Sequence, residues 1–303
     1  MEIVQMNWRS LRQGIIPMLF LVACVGGISL ALVRQLPIFV NCTNLGCNNS
    51  PLPLASTQLS VEQLQQVAEA ITVKVLSKET LGSGTLVKRE GQIYTVITNA
   101  HVLRAANPPY QIQTTDGHIH QAIVSKAVHF QSNDLGLLQF RNTGAVYAIA
   151  NLGDSSTLVV GDKVFVGGFT HLIPNPSLQA QKEAAGEFIF TVGQVSLVLN
   201  KALEGGYQIG YTNEIRKGMS GAPLLNLRGE VVGINGQHKD PVWDAPELYQ
   251  DGSEPSKQVQ NLITRSSLAV PIKTVVQLAP KFVTPKKLVF RFGVSKAYDK
   301  DRL

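Results

Sequence analysis

Three short stretches carry residue types that can do covalent chemistry together. In Gly218-Met219-Ser220-Gly221-Ala222-Pro223 a hydroxyl residue sits among glycines, just ahead of the apolar pair Leu224-Leu225. That pattern reads as a tight loop feeding a buried strand. Such a loop can hold the Ser220 Oγ outward and leave nearby backbone N–H groups free, as a serine attacking a carbonyl requires. Taken alone, the stretch reads equally well as a Gly/Ser/Pro turn. Two further stretches tip the reading: a β-branched run, Val96-Ile97-Thr98-Asn99-Ala100, ends on His101, and Asp134 opens the apolar segment Leu135-Gly136-Leu137-Leu138. Along the chain the order is His101, Asp134, Ser220.

That order is the one found in trypsin-like (chymotrypsin-fold) serine proteases, and it differs from the subtilisin and α/β-hydrolase orders. The chain resembles this superfamily, and within it the bacterial high-temperature-requirement (HtrA) proteases. The matching pieces are Gly82-Ser83-Gly84-Thr85, the Thr-Asn-Ala-His-Val run at 98–102, Asp134 to Leu138, Gly193-Gln194-Val195-Ser196, the serine loop, Gly229 to Asn235 and Leu268-Ala269-Val270-Pro271. The resemblance implies that His101 takes the proton from Ser220 and later gives it to the leaving amine, while Asp134 holds the imidazole in the correct tautomer. It implies an oxyanion hole from the N–H groups of Gly218 and Ser220, and a substrate pocket shaped by Glu214, Ile215 and Asn235. The chain departs from the family at Met219, where Asp or Asn is common, and at Ala222, where Gly is usual; a methionine can still hold the loop by packing.

Specificity has three readings. Glu214 lies six residues before Ser220, the spacing at which trypsin carries a carboxylate for basic side chains. The Thr212-Asn213-Glu214-Ile215 context is closer to the HtrA group, in which the pocket accepts small aliphatic residues. Alternatively, Glu214 is exposed and screened by Arg216 and Lys217. Of the remaining histidines, His118, His120, His129, His171 and His238 read as structural, and Asp116 reads as a turn residue beside Gly117.

The elements that must position these residues are short strands. Ser60 and Gln63 form a capping box ahead of an amphipathic helix through Leu64, Val67 and Ile71. A first strand series follows at 71–76, 85–88, 93–98, 110–114, 119–125 and 135–140. After Asn151-Leu152-Gly153-Asp154-Ser155-Ser156, a second runs at 163–166, 187–199, 206–212, 222–225 and 230–234. The expected fold is all-β, two barrels over 60–150 and 151–280, with the chemistry in the cleft between them. Residues 237–267 read as a long loop that shapes substrate entry, contacts a partner or is simply solvated. A helix is expected over Ile272 to Leu278, then a basic tail over 281–303, which leaves no room for the PDZ domain that many HtrA proteases carry.

The chain has 303 residues, 44% of them hydrophobic, and a formal charge of +6 that lies partly in the tail. It is too apolar to be disordered and lacks the interleaved basic and aromatic pattern of nucleic-acid binders. Arg9 and Arg12, in the n-region 1–13, precede an uncharged apolar stretch, and segment 14–36 reads as a transmembrane anchor or a signal peptide. Leu21-Val22-Ala23-Cys24 also matches a lipobox. The bulk of the protein is therefore expected outside the cytoplasmic membrane. In the linker 37–59, Cys42 and Cys47 read as a disulfide loop in an oxidising compartment or as two free thiols; without a histidine they make a poor zinc site. The acidic residues of 237–267 do not follow a calcium-loop spacing. No metal or organic cofactor is expected, and nothing sets an oligomeric state. The expected function is serine endopeptidase action on polypeptides, the rival being an inactive protease-fold binding protein. A third reading is an enzyme that orders its loops only on meeting substrate.

Overall fold

Alternation along the strands decides the architecture. The computed structural model describes residues 58–77, 81–105, 107–171, 186–239 and 247–283. The expected membrane or signal segment 14–36, Cys42 and Cys47, most of the linker and the tail beyond 283 lie outside them. Among the described residues, no helix is long and apolar enough to cross a membrane.

Six antiparallel strands close the first barrel: β1 (Thr72–Leu76), β2 (Leu81–Glu90), β3 (Ile93–Thr98), β4 (Tyr110–Gln113), β5 (Ile119–Val124) and β6 (Gly136–Arg141), in the order β1-β2-β3-β6-β5-β4. The second closes as β10-β11-β12-β9-β8-β7, from β7 (Lys163–Phe169), β8 (Phe188–Val198), β9 (Ile209–Tyr211), β10 (Pro223–Leu225), β11 (Val231–Gln237) and β12 (Ser267–Pro271). The two-barrel, all-β expectation is met. The period-two alternation of side chains sorts each strand between two cores. Tyr94, Val96, Leu138 and Phe140 fill the first barrel, and Val164, Val166, Ile209 and Leu224 fill the second. Ile97, Leu137, Phe165 and Leu225 face the other way, into a third core that joins the barrels. Each such side chain, fully buried, contributes about 1.5–3 kcal/mol.

Helix α1 (Val61–Ile71) begins with the expected capping box: Ser60 Oγ accepts from Gln63 N while Gln63 Oε1 accepts from Ser60 N. Its Leu64 and Ala68 enter the joining core, where Gly167 of β7 leaves room for Ala68. Helix α2 (Ala100–Arg104) follows β3 directly, and α4 (Ile272–Leu278) and α5 (Pro280–Val283) end the described chain. The stretch 237–267 is not one loop. Gln237 ends β11, and a helix α3 (Lys257–Thr264) is capped by Ser256 and buries Ile263. Its polar sequence, Lys-Gln-Val-Gln-Asn, concealed the single apolar face. The strand expected at 206–212 shrinks to β9 because Tyr207 turns inward to another partner.

Strand β2 also wires the first barrel to the serine loop. Ser83 N donates to Ser220 O (2.8 Å), Ser83 Oγ to Gly218 O (2.9 Å) and Thr85 Oγ1 to Gly221 O (3.0 Å). The approach is close enough that a Cβ on Gly221, whose φ is +88°, would lie 2.1 Å from Ser83 O. Gly221→Ala should therefore cost at least about 2 kcal/mol through backbone strain and collision, read as a lowered melting temperature. An unchanged melt would mean that the two barrels are not held together at this point.

Candidate active site

His101 and Asp134 come from the first barrel, one from the first turn of α2 and the other from the residues leading into β6. Asp134 is pinned through its backbone. Its N–H donates to Gly205 O (2.7 Å), and its carbonyl accepts from the buried Asn99 Nδ2 (2.9 Å). Asn99 is the residue ahead of α2, so its amide ties the His101 helix to the Asp134 segment in place of capping the helix.

The carboxylate of Asp134 then receives three near donors. His101 N donates to Oδ1 (2.8 Å), His101 Nδ1 pairs with Oδ2 (2.6 Å), and Tyr207 Oη donates to Oδ2 (2.5 Å). Arg104 Nη2 is farther, at 3.4 Å, and is itself exposed. Burial alone would push Asp134 upward. The bond and charge of His101, the Tyr207 hydroxyl and the His101 backbone N–H outweigh it and hold the carboxyl below its ordinary range. An ionised carboxylate can only accept, so the proton between the two residues sits on Nδ1 of His101, leaving Nε2 as the basic nitrogen.

Ser220 sits in the turn ahead of β10, in a loop whose carbonyls are held one after another. Lys217 O accepts from His171 N (2.7 Å), Gly218 O from Ser83 Oγ (2.9 Å), Met219 O from Asn235 Nδ2 (2.7 Å) and Ser220 O from Ser83 N (2.8 Å). Met219 N and Gly221 N are used as well, donating to Arg216 O and Asn235 O. The N–H groups of Gly218 and Ser220 have no acceptor among the described residues. In a trans peptide the carbonyl and the amide hydrogen point to opposite sides, so anchoring Lys217 O on His171 directs Gly218 N–H away from it. Glycine is required at 218, where φ is +98° and a Cβ would lie 2.4 Å from His171 N. Met219 is fully buried in the second barrel, with Sδ 3.4 Å from Arg216 N, so it secures the loop by packing.

His101, Asp134, Gly218 and Ser220 line one cavity of about 640 Å³ between the barrels. The Ser220 hydroxyl donates to Gly236 O at 3.3 Å, and no Ser220–His101 hydrogen bond is present among the described residues.

Two of the three expected pocket residues are elsewhere. Glu214 is 65% exposed and pairs with the exposed Arg216 (3.2 Å), because its side chain leaves the loop toward solvent. Asn235 is fully buried: it accepts from the Tyr211 hydroxyl and donates to Met219 O, so it supports the loop from beneath. Ile215 does line the cavity, together with Leu268, Ile263 and Ser266. Of the other histidines, His118 pairs with Asp116 (2.9 Å) and His120 packs on Phe140, both on the first barrel. Among the described residues, no three His, Cys, Asp or Glu side chains converge to hold a metal.

Residues 82–234, which include His101, Asp134, Gly218 and Ser220, match the family model described as Trypsin-like peptidase domain. The chain belongs to this family. Its trypsin-like peptidase domain is also similar to curated relatives. The probable periplasmic serine endoprotease DegP-like of Buchnera aphidicola (subsp. Schizaphis graminum) is 35% identical over 156 residues, 51% of this chain and 29% of the relative. The periplasmic pH-dependent serine endoprotease DegQ of Escherichia coli is 34% identical over 157 residues, 52% of this chain and 31% of the relative. The serine protease Do-like HtrA of Bacillus subtilis is 31% identical over 157 residues, 51% of this chain and 32% of the relative. The matched part of the chain thus spans about a third of the length of these relatives.

Because the folded state lowers the proton affinity of Asp134, the unfolded chain binds the extra proton, and stability falls as pH drops. This contribution is complete above the ordinary aspartate value, about 3.9, and is lost as pH falls through the lower folded value. Asp134→Asn should therefore flatten part of the fall in melting temperature below pH 5. Parallel slopes for variant and native protein would contradict the assigned bonding.

Proposed function

We propose that the chain is a serine endopeptidase that cleaves polypeptides through an acyl-enzyme, with Ser220 as nucleophile, His101 as general base and acid, and Asp134 as the orienting carboxylate. Ser220 Oγ attacks the scissile carbonyl as His101 Nε2 takes its proton. The tetrahedral oxyanion is held by the N–H groups of Gly218 and Ser220. Collapse breaks the C–N bond as His101 protonates the leaving amine. Water, deprotonated by the same imidazole, then releases the acid and restores Ser220. The observation that carries the reading is the pair of unengaged N–H groups beside Ser220, in a loop whose four successive carbonyls are all bonded. Donors fixed in this way need no reorganisation when charge develops on the substrate oxygen.

A small aliphatic side chain at the cleavage position belongs to the same reading. Ile215 and Leu268 on the cavity wall support it, and the outward Glu214 paired with Arg216 weighs against selection of basic residues. Export belongs to it too, supported by Arg9 and Arg12 ahead of the apolar stretch and by the word periplasmic in two relatives' names. We propose retention of residues 14–36 as an anchor on the same sequence grounds. The Ser220 hydroxyl resting on Gly236 O favours the second reading, a binding protein of the same fold.

Hydrolysis of an unfolded, internally quenched polypeptide by the full chain in detergent tests the proposal. Ser220→Ala and His101→Ala should each lower kcat/KM by at least about 10³. Turnover undiminished in Ser220→Ala would contradict it. Tight binding of the polypeptide by folded native protein without turnover would move the assignment to the binding protein.

A further inference from the structure

The His101–Asp134 pair is held by a group from the opposite barrel. Tyr207 is 2% exposed and lies just before β9, yet its hydroxyl reaches Asp134 Oδ2 at 2.5 Å, sharing that oxygen with His101 Nδ1. The path is built by its neighbours. Leu203 and Gly206 close a turn, with Leu203 N donating to Tyr207 O and Gly206 N to Leu203 O, both 2.9 Å. On the far side Gly236 has no side chain, and a Cβ there would lie 2.3 Å from Tyr207 Oη. Any residue with a Cβ at 236 would push the hydroxyl off the carboxylate.

We infer that Tyr207 is a positioning residue: its hydroxyl fixes the Asp134 carboxylate in the rotamer that bonds His101 and withdraws part of the negative charge that Oδ2 offers to the imidazole. The inference rests on the proposed peptidase reading. An O–H···O⁻ bond at this distance is of the strong, charge-assisted kind, and a carboxylate oxygen that accepts from two donors presents less charge to each. Tyr207 therefore sets both where Oδ2 stands and how strongly it stabilises protonated His101. The groups facing His101 and the carboxylate are Tyr207, Arg104 and the backbone N–H of His101, while Glu204, Glu247, Arg216, Lys217 and His238 line the same cavity.

Two variants of the full chain separate this role from packing. Tyr207→Phe keeps the ring and removes the hydroxyl. It should lower kcat on the quenched polypeptide roughly 10- to 100-fold with little change in KM, the factor expected for one lost bond to a charged group. It should also move the acid limb of the kcat/KM profile to higher pH, because an unshared Oδ2 favours the imidazolium. Incorporating 3-fluorotyrosine at 207 preserves shape and makes a stronger donor, so it should move the same limb to lower pH. Opposite displacements establish the inference. A Tyr207→Phe protein that melts lower but keeps native kcat and acid limb, or a fluorinated protein with an undisplaced limb, would overturn it. Native protein with no Ser220-dependent hydrolysis would overturn the parent reading, and this one with it.

Discussion

The arrangement depends on Ser83. Its hydroxyl accepts from Phe169 N and donates to Gly218 O, its amide donates to Ser220 O, and its own carbonyl accepts from Thr98 Oγ1. One small residue on β2 thus joins the end of β7, the serine loop and the end of β3, the strand that leads into His101. The residue is fully buried, so each of these bonds is made where water does not compete, and leaving any one unmade exposes a polar group to an apolar surround at a cost of about 1–3 kcal/mol. The separation of the two barrels is in this way set by hydrogen bonds as well as by the apolar core between them. The serine loop is strung across the junction and inherits its shape.

A division of labour follows between carbonyls and amides of that loop. A turn of this length has more polar backbone groups than local structure can satisfy. Here the carbonyls of Lys217, Gly218, Met219 and Ser220 are satisfied by groups outside the loop, from Ser83, Asn235 and His171, and the amides of Gly218 and Ser220 are the remainder. The unused donors are a consequence of where the acceptors were tied down. Met219 fits the same logic: a buried apolar side chain anchors the loop without requiring a polar partner of its own.

The proposed catalytic residues are legible because each signal is local. A β-branched run ending on His101, an aspartate opening an apolar strand and a serine among glycines are patterns of a few neighbours, and short β-prone runs between glycine-bearing turns mark most strands within one or two residues. What the sequence concealed is contact between distant segments. Tyr207 looks like one more apolar residue near a strand, and nothing in its spacing points to Asp134, 73 positions earlier. The family resemblance places Glu214 and Asn235 in the pocket, but Glu214 points to solvent beside Arg216, and Asn235, on β11, is buried beneath the serine loop. Helix α3 carries a weak sequence signal because only one of its faces is buried and its polar residues outnumber the apolar ones. β12 was not read as a strand although its residues were noted, since closing the second barrel requires both β9 and β11 as partners.

The central claim is that Ser220 is activated by His101 in a preorganised loop. It is tested most directly by exposing the full chain to a fluorophosphonate and locating the adduct by peptide mass spectrometry. The account predicts stoichiometric modification at Ser220 alone, abolished in His101→Ala while the protein stays folded. Modification that persists without His101, or none on folded native protein, would contradict it.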